Sequence, residues 1–206
     1  MEFKNWEPHY REILDYFGFD RSADEEAARL LSSLMTRDNL LSLAALTCDN
    51  EVTVCGNAPR LKNELGKIHG VVFAADAAAE VLDKHGIRPD AIFTDLDGAT
   101  DRFIELNDEG TIVVIHAHGD NMALLRYWVP RFKGPVVATT QAAPLPNVHN
   151  FGGFTDGDRA VFTADELGAS RITLVGFDLD DKNVEPMKRG KLWWARKLLA
   201  LIGHDV

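Results

Sequence analysis

The chain is poor in cysteine, in positive charge and in long apolar runs. Its 206 residues hold two cysteines, Cys48 and Cys55, at a spacing that suits neither a disulfide framework nor a metal-binding motif. Both therefore read as packing residues in a reducing compartment. Lys and Arg total 22 against 32 Asp and Glu, a net charge of −10 that argues against nucleic acid or an anionic membrane as the main partner. A polyphosphate ligand meets the same field, so binding one calls for a cation held locally. No apolar run approaches the ~18 residues of a membrane span. The opening Met-Glu-Phe-Lys-Asn-Trp-Glu lacks the basic-then-apolar profile of a signal peptide, and a cytoplasmic protein is the expectation. Internal repeats, low-complexity tracts and Pro/Gly/Ser linkers are also missing, which leaves the 46% of hydrophobic residues to form one ample core.

What is present falls into two rhythms. Residues 1–50 carry helical periodicity, with Ala27, Leu30, Leu31 and Leu34 on one face behind a capping-box pattern at Ser22-Ala-Asp-Glu25. They predict a helical N-terminal cap. Residues 51–206 alternate short β-branched runs with helical segments: Val52–Cys55, Val71–Ala75, Ala91–Thr94, Thr111–Ile115, Val136–Thr140 and Ile172–Val175. That alternation predicts an α/β domain whose doubly wound, mostly parallel sheet of about six strands has helices on both faces. The stretch Lys188–Ile202 should add an amphipathic helix, docked through Trp194, Leu198 and Leu201.

In open α/β sheets ligands bind beyond the carboxyl ends of the strands, and those ends are unusually polar here. The third run delivers Asp95-Leu-Asp97-Gly98. If the extended conformation persists, these carboxylates converge, and hard oxygen ligands of that kind hold Mg²⁺. The alternative is a solvated loop. The first run exits into Gly56-Asn57-Ala-Pro-Arg60, where a glycine turn opening a helix would direct N–H groups at an anion, or simply turn the chain. The second exits into Asp76, the fifth into Gln141. The fourth exits into His116-Ala-His118-Gly-Asp120-Asn121, a pattern similar to the zinc motif of metallo-β-lactamases, so a zinc hydrolase using His116, His118 and Asp120 stands as a minority reading. Phe151-Gly152-Gly153-Phe154-Thr155-Asp156-Gly-Asp158-Arg159 opens a helix that Thr155 can cap. The same loop can clamp a flat heteroaromatic ring, with Asp156 or Asp158 accepting from ring N–H groups.

Ala75-Asp76 followed by Pro89-Asp90-Ala-Ile-Phe-Thr-Asp95-Leu-Asp97 resembles the core of thiamin pyrophosphokinases, although Thr94 and Gly98 replace that family's glycine and serine around the acidic pair. Taken with Gly56-Asn-Ala-Pro, His116-Ala-His-Gly-Asp-Asn121 and Asn150–Arg159, the chain more closely resembles the archaeal 6-hydroxymethyl-7,8-dihydropterin pyrophosphokinases of the MptE type. The resemblance implies transfer of diphosphate from ATP to the hydroxymethyl group of a reduced pterin, with release of AMP, in folate- or tetrahydromethanopterin-type biosynthesis. Thiamin is the nearest rival acceptor. On this reading Asp95, Asp97 and Asp120 hold Mg²⁺. His116 and His118 contact phosphate or act as base, and Gly56, Asn57, Arg60, Asp76, Asn121 and Gln141 serve the nucleotide. The loop from Gly152 to Arg159 serves the pterin. The expected partners are these small molecules, and a homodimer is compatible with the chain.

Overall fold

The six β-branched runs form six parallel strands in the computed structural model, which describes residues 1–204. Three helices come first, α1 (Phe3–Phe17), α2 (Arg21–Leu34) and α3 (Leu40–Thr47). Then β1 (Glu51–Cys55), α4 (Leu61–Glu64), β2 (Val71–Ala75), α5 (Ala78–Lys84), β3 (Ala91–Thr94), α6 (Asp101–Asp108), β4 (Ile112–Ala117), α7 (Met122–Trp128) and β5 (Val136–Thr140) alternate along the chain. It finishes with α8 (Asp156–Glu166), β6 (Arg171–Val175) and α9 (Pro186–Leu201). The strand order is β5-β4-β3-β2-β1-β6. Strands one to five step in one direction across the sheet, and the connection through α8 carries the chain back past β1.

The strands are apolar at successive positions because both faces are covered, and their two-residue period divides them between two cores. Val72, Ala74, Ile92, Val113, Ile115 and Ala138 face one layer, packed with residues of α2, α5, α6 and α7. Phe73, Ala91, Phe93, Ile112, Val114 and Val137 face the other, with Leu43 of α3, Ala160 and Val161 of α8 and Leu199 of α9. A third cluster joins Trp6, Tyr10 and Ile13 of α1 to Phe154, Phe162, Trp194 and Leu198. The first three helices are thus shared among all three clusters. Residue 50 marks a change of chain rhythm and not a packing boundary.

Local details differ from the sequence reading in three places. The cap of α2 is Asp20, whose carboxylate accepts from the Ser22 N–H, and not Ser22 itself. In α9, Trp194 and Leu198 are buried as expected, while Leu201 is exposed because Leu199 turns inward instead. Strand β4 runs two residues further than its β-branched run, since His116 and Ala117 continue the ladder opposite Thr139 and Thr140. His116 is thereby an interior strand residue.

Candidate active site

The carboxyl ends of β2 and β3 and the first turn of α8 bring three carboxylates together. Asp76, Asp95 and Asp156 each offer an oxygen, and these oxygens all lie within 4.8 Å of one another. Each comes from a different element, so no helical or strand periodicity could have joined them. Asp76 is held with φ of 44°, and its Oδ1 accepts from the Thr94 hydroxyl at 2.7 Å. Thr94 Oγ1 in turn accepts the Leu96 N–H at 2.8 Å. Gly98 lies so close that a Cβ there would stand 2.0 Å from Asp76 Oδ2, which is why this turn has no side chain at that position.

The extended conformation expected through Asp97 ends at Thr94. Leu96 adopts φ of 74° and buries its side chain, so Asp95 and Asp97 do not converge as strand neighbours. Instead the turn itself brings the two together: the Asp97 N–H donates to Asp95 Oδ1 at 3.2 Å, and the Asp97 carboxyl lies within hydrogen-bond reach of the Asp95 carboxyl, outside the group of three. Burial would raise the Asp95 carboxyl, but hydrogen bonds from His118 and from the Asp97 backbone outweigh it and hold Asp95 ionised below the usual range. Partial withdrawal from water and the charges of Asp95 and Asp76 push Asp97 up to about 6. Burial likewise raises Asp76, against the Thr94 hydrogen bond, and raises Asp156 strongly, against the charge of Arg159. Crowded carboxylates of this kind repel until a cation sits between them. A set of oxygen donors without sulfur or imidazole suits a hard ion such as Mg²⁺, so the residues present fit that metal.

Around this group the expected residues divide into those that face the cleft and those that build it. His116 is fully buried, with Nδ1 3.2 Å from Thr139 Oγ1. Thr139 gives its one hydrogen to Ile115 O, so Nδ1 carries the proton and donates to Thr139. That leaves Nε2 as an unpartnered acceptor. Burial, with Arg159 and His118 adding to it, keeps the ring neutral. His118 Nε2 lies 3.4 Å from Asp95 Oδ2, and Asp120 is exposed beyond it. Among the described residues His116, His118 and Asp120 do not gather on one point, which removes the geometry a zinc hydrolase needs. Asn121 is consumed as a brace: its Nδ2 donates to Asp95 O and His116 O, each at 2.7 Å, and its Oδ1 accepts from the His118 N–H.

The Gly-Gly-Phe-Thr-Asp loop combines capping with presentation. Gly152 and Gly153 have φ of 88° and 84°, and Thr155 and Asp158 form a reciprocal capping box on α8. Buried Asp158 accepts the N–H groups of Phe154 and Thr155, both at 2.7 Å, so its acceptors are spent on the loop and not on a ring. Asp156, one residue into the helix, is released toward Asp76 and Asp95. Arg159 is buried and fixes both parts, donating to Asp156 Oδ1 at 2.7 Å and to Phe154 O at 2.8 Å. Phe154 packs against Phe17 and Phe19 from the end of α1, with ring centroids 5.2 and 6.5 Å away.

The loop expected to cradle phosphate spends two of its amides on the end of the neighbouring strand. Gly56 N–H donates to Val175 O and Ala58 N–H to Gly176 O, at 2.8 and 2.9 Å, because β1 and β6 end side by side. The helix that follows, α4, is a single turn. Asn57 is exposed, and Arg60 pairs with Glu64 at the surface. Gln141 is also structural in this geometry, donating to Asp24 Oδ2 at 2.7 Å.

Asp24 is the residue that sequence reasoning missed. It is 3% exposed, and it accepts from Tyr10 Oη (2.7 Å), Gln141 Nε2 (2.7 Å) and the Gly119 N–H (2.8 Å). An acidic residue on the apolar face of α2 was the available signal. Asp24, Phe19 and Asp20 line one wall of a cleft of about 120 Å³ whose other walls include Asp95, His116, His118, Phe154 and Arg159. A larger hollow of about 270 Å³ lies at the amino ends of β4 and β5, lined by Arg88, Pro89, Thr111 and Pro135. It lacks a convergent set of polar groups, and in parallel sheets the binding end is the other one.

Known proteins resemble this chain over most of its length. A model of the family described as 6-hydroxymethylpterin diphosphokinase MptE-like matches residues 27–184. A protein of Pyrococcus furiosus named 6-hydroxymethyl-7,8-dihydropterin pyrophosphokinase is 42% identical over 225 aligned positions, covering 100% of this chain and 96% of its own length. Namesakes from Methanothermobacter thermautotrophicus and Methanocaldococcus jannaschii are 39% and 36% identical, covering 97% and 86% of this chain and 94% and 80% of theirs. The chain belongs to the 6-hydroxymethylpterin diphosphokinase MptE-like family.

Proposed function

We propose that this chain transfers diphosphate from ATP to the hydroxymethyl group of 6-hydroxymethyl-7,8-dihydropterin, with Mg²⁺ bound by Asp76, Asp95 and Asp156. The chain is a pyrophosphokinase, as its curated relatives are named. The observation that carries the metal assignment is the convergence of three carboxylates from three elements, one of which, Asp95, lines the cleft. In the reaction the hydroxymethyl oxygen forms a bond to the β-phosphorus. The bond from that phosphorus to the α-phosphate oxygen breaks, AMP leaves with that oxygen, and the hydroxyl proton passes to solvent or a nearby base. Bound there, Mg²⁺ would neutralise the polyphosphate as charge shifts to the leaving group.

The protein's own residues supply position. Asp95 keeps His118 within reach of the reacting atoms. The His116 Nε2 lone pair suits a donor on the reduced pterin better than a phosphate oxygen, since two acceptors repel. Phe154 and Phe19 offer an apolar side for a flat ring.

AMP formation from ATP, measured with hydroxymethyl-dihydropterin and with thiamin as acceptor, tests the reading. Turnover with the pterin that stops on chelation of divalent metal is expected. Turnover with thiamin alone would reassign the acceptor, and absence of AMP with either would remove the reaction.

A further inference from the structure

Lys191 stands in the first turns of α9, beyond the segment that the family model matches. Gly190 lets this end of the helix sit against α1, because a Cβ there would already be 3.1 Å from both Phe17 and Tyr16. The close approach brings the following residue to the cleft, where Lys191 is a lining residue beside Asp95 and His118. Its charge is near enough to Asp97 to act on that carboxyl.

Two cationic side chains of Lys or Arg type line this cleft, and they are not equivalent. The guanidinium of Arg159 is neutralised by Asp156 and tied to Phe154 O. Lys191 has no carboxylate partner among the described residues. On the same helix Arg196 pairs with Asp180, and Lys197 pairs with Glu12. A triphosphate carries about four negative charges and one divalent ion offsets two, while the three carboxylates are themselves anionic. A further cation in the cleft offsets part of the charge that remains. Lysine's flexible stem suits a phosphate whose position changes as the bond breaks.

Resting on the proposed diphosphate transfer, we infer that Lys191 is a catalytic residue that pairs with the polyphosphate of the bound nucleotide. Lys191 is exposed, so replacing it leaves the fold intact. The experiment compares Lys191→Met, Lys191→Arg and Lys188→Met with the wild type. Lys188→Met makes the same change in net charge at an exposed position on α9 that does not line the cleft.

Calorimetric titration uses the metal complex of an ATP analogue with methylene between the α- and β-phosphorus, which cannot be cleaved there. Lys191→Met is expected to weaken this complex about ten- to a hundredfold, the worth of one charge-assisted hydrogen bond. It should lower kcat/KM for ATP in step, leaving Tm and pterin affinity unchanged. Lys191→Arg should recover part of the loss and Lys188→Met should show none. If wild type forms AMP while Lys191→Met binds the analogue normally, or if Lys188→Met loses as much, the role of Lys191 is overturned and the reaction stands. If wild type neither binds the analogue nor forms AMP, the reaction itself fails.

Discussion

Asp95→Asn lowers AMP formation by about a thousandfold or more while leaving the protein folded, the size of effect expected when a preorganised electrostatic contact to the reacting charge is lost. The substitution keeps shape and removes one charge from the three carboxylates. The fold survives because the Asp95 backbone, and not its side chain, carries the brace: Asn121 Nδ2 donates to Asp95 O at 2.7 Å. Loss of the carboxylate removes a charge that, after burial, adds to the raising of Asp76, Asp97 and Asp156. The charge also holds the His118 contact that keeps Asp95 ionised, so thermal unfolding should fall modestly without loss of the fold. Rising Mg²⁺ concentration should restore part of the rate if affinity is what was lost. A variant with normal turnover would show that Asp95 is not a ligand, and a variant that fails to fold would show that its role is architectural.

Asp24→Ala unfolds at a denaturant midpoint well below that of the wild type, with a loss of about 3 kcal/mol or more. The reason is arithmetic of donors: Tyr10 Oη, Gln141 Nε2 and the Gly119 N–H all lose their acceptor in a buried setting. Each buried donor left alone costs about 1–3 kcal/mol. Burial and the neighbouring Asp24 carboxylate push the Tyr10 hydroxyl up, so it stays a donor throughout the working pH range. The same substitution reaches the site, because Gly119 follows His118, and His118 faces Asp95. Turnover at a temperature where the variant is still folded should fall as well. Equilibrium unfolding with activity measured below the transition checks both effects. A midpoint matching the wild type would contradict the account of Asp24 as the joint between α1, α2, β5 and the turn after β4.

Most of the fold was legible because parallel strands covered on both faces leave an unmistakable trace. Five of the six β-branched runs match their strands within a residue, and β4 departs only because a histidine and an alanine lack that signature while still pairing with Thr139 and Thr140. The all-parallel sheet followed from the helical segments between the runs. The site was legible only in part. Asp76 and Asp95 stand at strand ends, where sequence reasoning looks for ligands, but Asp156 joins them through the packing of α8 over β1, β2 and β3, which no local spacing encodes. Asp97 reaches Asp95 by a route that an extended reading does not anticipate, because a non-glycine residue, Leu96, takes a left-handed conformation between them. Asp120 was read as a metal ligand and Asn121 as a nucleotide contact; Asp120 is exposed at the cleft, while Asn121 ties two strand ends together. Gly56-Asn-Ala-Pro looked like an anion loop until the end of β6 took its N–H groups. Asp158 and Asp156 are separated by one residue, and the helix start sends one into a capping box and the other toward Asp76 and Asp95.

On the proposed function, Asp76, Asp95 and Asp156 hold the divalent ion that serves the nucleotide. Crystals grown with Mn²⁺ and the methylene ATP analogue, measured at the manganese absorption edge, address it directly. The account predicts an anomalous peak about 2.0–2.3 Å from oxygens of these carboxylates, with phosphate oxygens completing the shell. A peak held by His116, His118 and Asp120, or a nucleotide bound with its metal away from all three carboxylates, would contradict it.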